Sequence, residues 1–247
     1  MNSPRVIARL DIKNNFVVKG IQFEGWEKIG NPIELAIKYY TNGADELVFI
    51  DNVSSLFSQK SMLDILKNSL KKIFIPIGIG GGIKKIEDAK KILFTGADKI
   101  IINTAFLKNP NLIKLFVNTF GSQSIILSIQ AKKFSNSTWM AYMEAGRENG
   151  KKEVLKWIKE AESLGVGELL VTSIDNEGLK KGLDLELYKK IKKITNLPII
   201  AGGGFNGSSK DINSLKSFNL SGISIARLFH ENKITPNKLK IKINENK

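Results

Sequence analysis

The chain has 247 residues, 42% of them hydrophobic and 25% charged, and a formal charge of +14, which is typical of a globular protein. Zero cysteines exclude disulfides, thiolate metal sites and cysteine nucleophiles, and a single histidine, His230, argues against a histidine metal cluster. We therefore expect no metal and no other cofactor, and the length leaves room for two ordinary domains or for one barrel with a single core.

Short β-rich apolar runs alternate along the chain with longer segments of helical period, a pattern typical of repeated β-α units and a parallel sheet. Eight units can be counted, with strands predicted over residues 5–12, 46–50, 75–79, 99–102, 124–130, 168–171, 198–201 and 222–225. Helices are predicted, among others, over residues 32–42, 61–72, 86–95, 153–164 and 183–194. The sequence therefore predicts an α/β protein with a (β/α)8 TIM barrel fold, a single domain over residues 1–247.

Two connections in this barrel are longer than a β-α unit needs. Residues 13–31, after the first strand, contain Gly20, Gly25 and Gly30 and predict a mobile lid, from which Lys19 would reach a phosphate. Residues 133–150 contain an apolar run and predict a small hairpin over the rim.

An internal repeat indicates that one half of the barrel is a copy of the other. IPIGIGGG at residues 75–82 recurs as LPIIAGGG at residues 197–204, which predicts a two-fold repeat of half-barrels, about residues 1–121 and 122–247. LDIK at 10–13 echoes IQAK at 129–132, so Asp11 and Gln130 are partners by position. FIDN at 49–52 echoes SIDN at 173–176, which makes Asp51 and Asp175 predicted symmetry mates.

The two triple glycines are the strongest chemical signal in the sequence, because a glycine-rich turn from strand to helix exposes backbone N–H groups that bind phosphate. Each turn adjoins the rim of the following strand, giving two candidate phosphate sites: Gly81, Gly82, Asn103 and Thr104, and Gly203, Gly204, Ala226 and Arg227. A ligand with a phosphate at each end would lie across the mouth, over Asp11 and Gln130. In the alternative interpretation, the glycines only form tight turns.

Charged and polar side chains stand at the carboxyl ends of the first and fifth strands, the end where TIM barrels carry their active sites. Asp11 is a candidate general acid or base, or alternatively a structural charge held by Lys13. Gln130 occupies the equivalent place, where it can hydrogen-bond but cannot transfer a proton.

At the opposite end, Arg5, Glu46 and Lys99 stand at the amino ends of three predicted strands and are expected to point toward the barrel axis. Charges in that position require partners, so the sequence predicts a salt-bridge plug that closes the bottom of the barrel.

The excess of 38 Lys and Arg over 24 Asp and Glu fits nucleic acid, an acidic membrane or a phosphorylated metabolite. Neither a recognition-helix signature nor interleaved aromatic residues accompany the charge, so we expect no nucleic acid partner. No run of about 18 apolar residues occurs, and the start of the chain lacks the apolar core of a signal peptide. The sequence therefore predicts a cytoplasmic protein with no membrane partner and a phosphorylated small molecule as substrate.

Over nearly its whole length the chain resembles the cyclase subunit of imidazole glycerol phosphate synthase, from the histidine pathway. Besides the second triple glycine, the matching stretches are RLDIKNNFVVKG (9–20), DELVFID (45–51), GGGI (80–83), GADKIIINTA (96–105), FGSQS (120–124) and GELLVTSID (167–175). The resemblance implies a lyase that uses ammonia from a glutaminase subunit on a bisphosphorylated ribulosyl-aminoimidazole substrate. Its products would be imidazole glycerol phosphate and the aminoimidazole carboxamide ribonucleotide.

The resemblance also implies roles for particular residues. The glutaminase would dock at the barrel bottom as the other half of a heterodimer, and ammonia would pass through the barrel. Arg5, Glu46 and Lys99 match the family's gate charges, Asp98 matches its interface aspartate, and Lys19 matches its substrate-binding lysine. Further substrate contacts are implied for Thr172, Glu177 and Gly178.

The chain departs from the family pattern at four positions. It has Gln130 in place of the second catalytic aspartate, Gly78 in place of a threonine, Glu177 in place of an aspartate and Arg227 in place of a serine. We therefore expect an altered cyclase activity, because an amide cannot exchange protons. The alternative is a diverged paralogue that channels ammonia, with a glutaminase partner, to a sugar amidotransferase in surface-polysaccharide biosynthesis.

Overall fold

The structure, a computed structural model, describes residues 3–52 and 56–245, and the side chains of all of these except residues 56–61. Its strands are β1 (Arg5–Lys13), β2 (Phe16–Ile21), β3 (Glu24–Gly30), β4 (Glu46–Asp51), β5 (Ile77–Gly80), β6 (Lys99–Ile102), β7 (Ile125–Ser135), β8 (Thr138–Met143), β9 (Glu148–Glu153), β10 (Glu168–Ser173), β11 (Ile199–Gly202) and β12 (Gly222–Ile225). Its helices are α1 (Pro32–Thr41), α2 (Leu56–Leu70), α3 (Ile86–Thr95), α4 (Thr104–Lys108), α5 (Asn111–Phe120), α6 (Val154–Ser163), α7 (Leu185–Lys192), α8 (Ser209–Ser217), α9 (Arg227–His230) and α10 (Pro236–Glu245).

Eight of the described strands form a closed parallel barrel, which confirms the predicted (β/α)8 fold. The order around the barrel is β1, β4, β5, β6, β7, β10, β11 and β12, and β12 pairs in parallel with β1 to close the ring. The helices between these strands cover the outside of the barrel. The single-domain extent and the half-barrel boundary near residue 121 stay predictions.

The long connections form antiparallel hairpins at the rim. β2 and β3 extend β1, and β8 and β9 extend β7, which confirms the hairpin predicted within residues 133–150. The predicted lid of residues 13–31 is thus largely the β2–β3 hairpin, and its mobility stays a prediction.

Side chains alternate along each barrel strand between the helices and the bore. The outer faces pack against large buried residues such as Phe49, Phe106 and Trp157. The bore contains a separate apolar ring, formed by Ile7, Val48, Ile101, Ile126, Leu170 and Ile200. β-Branched residues dominate this ring because they fit the pleated surface of a strand. The ring separates the bottom of the barrel from its mouth.

The largest error in a predicted helix boundary is at α2, which begins at Leu56 and not at residue 61; the other predicted helix ends differ from the structure by at most two residues. Ser61 belongs to the residue types that often stand at helix starts. A serine inside a helix costs less than about 0.7 kcal/mol relative to alanine, so it does not stop a helix whose neighbours continue it.

The strand register agrees with the two-fold relation between the halves. Two matching sets of adjacent residues lie at the mouth: Asp11, Ile50 and Gly80 on β1, β4 and β5, and Gln130, Thr172 and Gly202 on β7, β10 and β11. Asp11 and Gln130 are therefore equivalent by register, as their sequence echo predicted.

The predicted equivalence of Asp51 and Asp175 is wrong. Because Ile50 corresponds to Thr172, the counterpart of Asp51 is Ser173, and the SIDN echo is shifted by two residues. The glycine turns agree with this correction. A Cβ on Gly81 would lie 2.0 Å from the carbonyl oxygen of Asp51, and one on Gly203 would lie 2.5 Å from that of Ser173.

Candidate active site

The two predicted phosphate sites lie at the carboxyl ends of the strands, but they differ greatly in size. A cavity of about 630 Å³ opens at the first glycine turn and is lined, among others, by Arg9, Gly81, Gly82, Asn103, Thr104 and Gln130. The cavity at the second turn measures about 30 Å³, room for about one water, and is lined, among others, by Lys19, Glu177, Gly178, Gly203, Gly204 and Arg227.

Both turns need glycine for conformation as well as for space. Gly81 and Gly203 have φ values of +91° and +87°, which side chains rarely adopt. The contacts with Asp51 and Ser173 leave no room for a Cβ atom. Both turns are therefore tight; Gly81 and Gly82 are partly exposed, whereas Gly203 and Gly204 are buried.

We predict that Gly203→Ala lowers the free energy of unfolding by about 3 kcal/mol or more, because strain and a steric clash act together. Gly207→Ala is the matched control: Gly207 has φ +75°, but none of the described residues lies within 4 Å of its would-be Cβ. It should cost only the left-handed strain of about 1–2 kcal/mol. Urea denaturation measures both, and equal losses would contradict the steric argument.

At the centre of the mouth, Asp11 is fully buried and paired with Arg9, a residue that the sequence analysis missed. Arg9 Nε and Nη2 donate to Asp11 Oδ1 at 3.0 and 2.9 Å, and Lys19 Nζ lies 3.5 Å from Asp11 Oδ2. Burial by itself raises the pKa of Asp11, but Arg9 and Lys19 outweigh it, so the pKa of this carboxyl lies below its ordinary value. Asp11 is therefore an anion at neutral pH.

Arg9 crosses the bore above the apolar ring. It lies two residues before Asp11 on β1, on the same inward face, and its Nη1 donates to Thr172 Oγ1 on β10 at 3.4 Å. Its Cζ lies 5.6 Å from the ring centroid of Phe23, in the turn between β2 and β3. The signal in the sequence was a basic residue two positions before the candidate aspartate, inside an apolar strand.

The β2–β3 hairpin lies over the second glycine turn. Lys19 on β2 is buried and forms an ion pair with Glu177, and Arg227 Nη2 donates to the carbonyl oxygen of Gly20 at 3.2 Å. A Cβ on Gly178 would lie 2.6 Å from that same oxygen. Ala226 is buried and precedes α9, which begins with Arg227. These contacts explain why so little space remains at the second turn.

Several buried polar atoms at the mouth have no hydrogen-bond partner among the described residues: Asn103 Oδ1, Gln130 Oε1, Ser224 Oγ and Arg227 Nε. Asn103 uses its Nδ2 to donate to the carbonyl oxygen of Tyr142, and Thr104 Oγ1 accepts from the backbone N–H of Glu144. Buried polar groups without partners are costly, so their concentration here indicates a ligand site.

The bottom of the barrel carries the predicted salt-bridge plug, with one additional member. Arg5 pairs with Glu46 at 2.6 Å and also with Glu168, and Lys99 pairs with Glu46 at 3.2 Å and with Glu168 at 3.0 Å. Burial raises the pKa of Glu46 despite the neighbouring Lys99 and Arg5. Glu168 was missed, although it stands 122 residues after Glu46, which is the spacing of the repeat.

Two remaining candidates have structural contacts. Asp98 Oδ2 accepts the backbone N–H of Ile77 at 2.8 Å, at the bottom of the barrel. His230 Nδ1 lies 2.6 Å from Tyr39 Oη, and burial lowers the pKa of His230 to about 4. His230 is therefore neutral near pH 7.

Over residues 3–52 and 56–245, no group of three or more His, Cys, Asp and Glu side chains is arranged to hold a metal ion. Within the same ranges, no helix has the length and apolar character that crossing a membrane requires.

Comparison with known proteins gives the family. The model of the family described as histidine biosynthesis protein matches residues 5–235. The chain belongs to the histidine biosynthesis protein family. Among its relatives, imidazole glycerol phosphate synthase subunit HisF of Legionella pneumophila is 46% identical, and the matched region covers 83% of this chain and 96% of the relative's chain. HisF of Hydrogenobaculum sp. (strain Y04AAS1) is 42% identical, and the matched region covers 100% of this chain and 98% of the relative's chain.

These HisF relatives confirm the resemblance drawn from the quoted stretches of sequence. Neither of the two relatives has a name that mentions polysaccharide biosynthesis, so they give no support to the sugar amidotransferase alternative. Within the histidine biosynthesis protein family, the Arg9–Asp11 pair and Gln130 are the features of this chain whose chemistry needs an explanation.

Proposed function

We propose that this chain is the cyclase subunit of an imidazole glycerol phosphate synthase, a cytoplasmic lyase that works with a glutaminase subunit. One observation carries the proposal: in a member of this family, two glycine turns flank a mouth whose centre holds a buried, ionised aspartate, Asp11. The substrate would be the bisphosphorylated ribulosyl-aminoimidazole nucleotide, with one phosphate at each turn.

The first turn supports phosphate binding most directly. Its cavity of about 630 Å³ is large enough for a nucleotide-sized group, and Lys84, Lys108, Arg147 and Arg9 contribute four cations against the two anions Asp51 and Glu144. This excess of positive charge favours an anionic ligand. The second turn would accept its phosphate once the β2–β3 hairpin moves away from Gly178 and Arg227.

Asp11 would act as the general base. Its carboxylate is ionised, and Oδ2 faces Lys19 with no hydrogen bond among the described residues, so an opening hairpin would uncover an oxygen able to accept a proton. Gln130 would orient the intermediate through hydrogen bonds without taking part in proton transfer. We infer that this amide alters the rate relative to a site with two carboxylates.

The decisive experiment is turnover of the formimino ribulosyl aminoimidazole-carboxamide nucleotide by the purified chain with an ammonium salt. Appearance of imidazole glycerol phosphate is the expected result. No detectable product, with the substrate bound and intact, would reject the cyclase and leave an ammonia-conducting subunit whose acceptor lies elsewhere. In that case the chain would still raise the glutamine hydrolysis rate of its partner.

The glutaminase would dock around the Arg5–Glu46–Lys99–Glu168 plug, where two aromatic rings are exposed. Phe74, just before β5, is 79% exposed, and Phe94, at the end of α3, is 87% exposed. Phe74 precedes β5 and Phe94 precedes β6, so both belong to the end of the barrel where these strands begin. Exposed aromatic residues are frequent anchors of protein interfaces.

We predict that Phe94→Asp raises the Kd of the complex with the glutaminase about tenfold, because a charge replaces an aromatic ring that the glutaminase would cover. Phe134→Asp is the matched control. Phe134 is 73% exposed but lies in the extension of β7 at the opposite end of the barrel. Isothermal titration calorimetry compares both variants with the unchanged chain. A similar loss in both would contradict docking at the bottom.

A further inference from the structure

Arg9 has an unused donor edge. Its guanidinium carries five N–H groups, of which Nε and Nη2 each use one on Asp11, and Nη1 uses one on Thr172. The remaining two, one on Nη1 and one on Nη2, have no acceptor among the described residues. A planar guanidinium presents such a pair to a single oxygen or to a carboxylate.

The position of Arg9 makes this edge relevant to the ligand. Arg9 and Gln130 both line the large cavity, and Gln130 Oε1 also lacks a partner among the described residues. The guanidinium is held by Asp11, Thr172 and the ring of Phe23, so it does not have to be ordered when a ligand binds. Such preorganised donors in a buried site stabilise charge that develops on a substrate oxygen.

The distance between Arg9 and the first glycine turn fits one ligand. β1 and β5 flank β4, so they lie about 10 Å apart at the usual spacing of neighbouring strands. The Arg9 side chain extends from β1 into the bore and shortens this gap. A phosphate on the turn after β5 and an oxygen a few carbons away could therefore be bound together.

We propose that Arg9 is a catalytic residue that binds the carbonyl oxygen of the ligand's phosphorylated carbon chain and stabilises it as an oxyanion. This deepens the proposed function, on which it rests. As ammonia adds, its nitrogen lone pair forms the C–N bond and the carbonyl π pair moves onto oxygen, where Arg9 holds it. The new ammonium group loses one proton, which the Asp11 carboxylate accepts. Atoms and charge balance at this addition step.

The test compares two five-carbon probes by isothermal titration calorimetry with the full chain. 5-Phosphoribonate has a carboxylate that imitates the oxyanion, whereas ribitol 5-phosphate has a hydroxymethyl group in its place. The unchanged chain should bind the carboxylate probe at least about tenfold more tightly, as a charge-assisted hydrogen bond predicts. Equal affinities would overturn the proposal without any variant.

Arg9→Met keeps an unbranched apolar side chain, shorter than arginine, and removes its donors. It should bind the two probes equally, with the affinity for ribitol 5-phosphate within about threefold of that of the unchanged chain. A preserved tenfold preference would overturn the proposal. If Arg9→Met does not fold, Arg9→Lys keeps the charge but loses the paired donors, and the preference should fall at least about threefold. An unchanged preference in Arg9→Lys would equally overturn it.

Failure of the proposed role of Arg9 and failure of the proposed cyclase activity give different results. A carboxylate preference that depends on Arg9, without turnover of the nucleotide, would keep the anion site and reject the proposed reaction. Turnover whose kcat is unchanged in Arg9→Met would keep the reaction and reject the role of Arg9. If both the Arg9-dependent preference and the turnover are found, Arg9→Met should lower kcat by a larger factor than it raises KM, because Arg9 binds the oxyanion of the reaction more strongly than the carbonyl oxygen of the bound substrate.

Discussion

Asp11→Asn is expected to lower kcat for ammonium-driven cyclisation by about 10²–10⁴, the usual loss when a general base is removed. Asparagine keeps the size of the side chain and one oxygen for Arg9, so the ion pair is replaced by a hydrogen bond from the charged guanidinium to a neutral amide. What disappears is the ability to accept a proton. The measurement is steady-state production of imidazole glycerol phosphate at saturating ammonium.

Asp175→Asn provides the control for a carboxylate at the same rim. Asp175 Oδ2 accepts the backbone N–H of Lys133 at 2.7 Å and belongs to the connection after β10. Replacing the Asp175 carboxylate by an amide should change kcat by less than about threefold. A comparable loss in both variants would mean that rim charge in general, and not a specific base, supports the reaction.

The pH dependence tests the same assignment. Because Arg9 and Lys19 hold the pKa of Asp11 below its ordinary value, the carboxylate persists above that lowered pKa and is lost only as the pH falls through it. With the concentration of unprotonated ammonia held constant across the pH series, activity limited by Asp11 should therefore show no acid limb between pH 5 and about 7. An acid limb in that range, present in the unchanged chain and absent in Asp175→Asn, would assign the base elsewhere.

Local signals in the sequence predicted the barrel and most of the mouth. Repeated apolar runs gave the strands, and the triple glycines gave two turns whose left-handed residues and carbonyl contacts leave no space for side chains. The register then placed Asp11 opposite its equivalent, Gln130, as the repeat predicted. These features depend on neighbours in the chain or on an exact spacing.

Features that depend on distant contacts were missed. Arg9 was passed over because a single basic residue in an apolar strand does not show whether its charge faces solvent or the bore. Glu168 needed the repeat to be applied to the bottom of the barrel as well as to its mouth. The unequal cavities depend on how the β2–β3 hairpin packs on Gly178 and Arg227, and no pattern within residues 13–31 specifies that contact.

Gln130→Asp is expected to raise kcat tenfold or more, since it places a carboxylate at the position equivalent to Asp11. Gln130 is nearly buried and its Oε1 has no partner among the described residues, so the site has room for a shorter acid. Arg9 lines the same cavity and would favour the charged form of the new aspartate. One carboxylate would then accept the proton from the adding ammonia while the other serves the later proton transfers.

Gln130→Asn separates charge from length, because asparagine has the size of aspartate but keeps the amide. If the amide limits the chemistry, Gln130→Asn stays at or below the rate of the unchanged chain while Gln130→Asp exceeds it. Equal rates in the two variants would show that side-chain length sets the rate. A fall in both would mean that Gln130 makes hydrogen bonds to the intermediate that a shorter side chain cannot reach, and that Asp11, with Arg9 as its partner, performs the proton transfers alone.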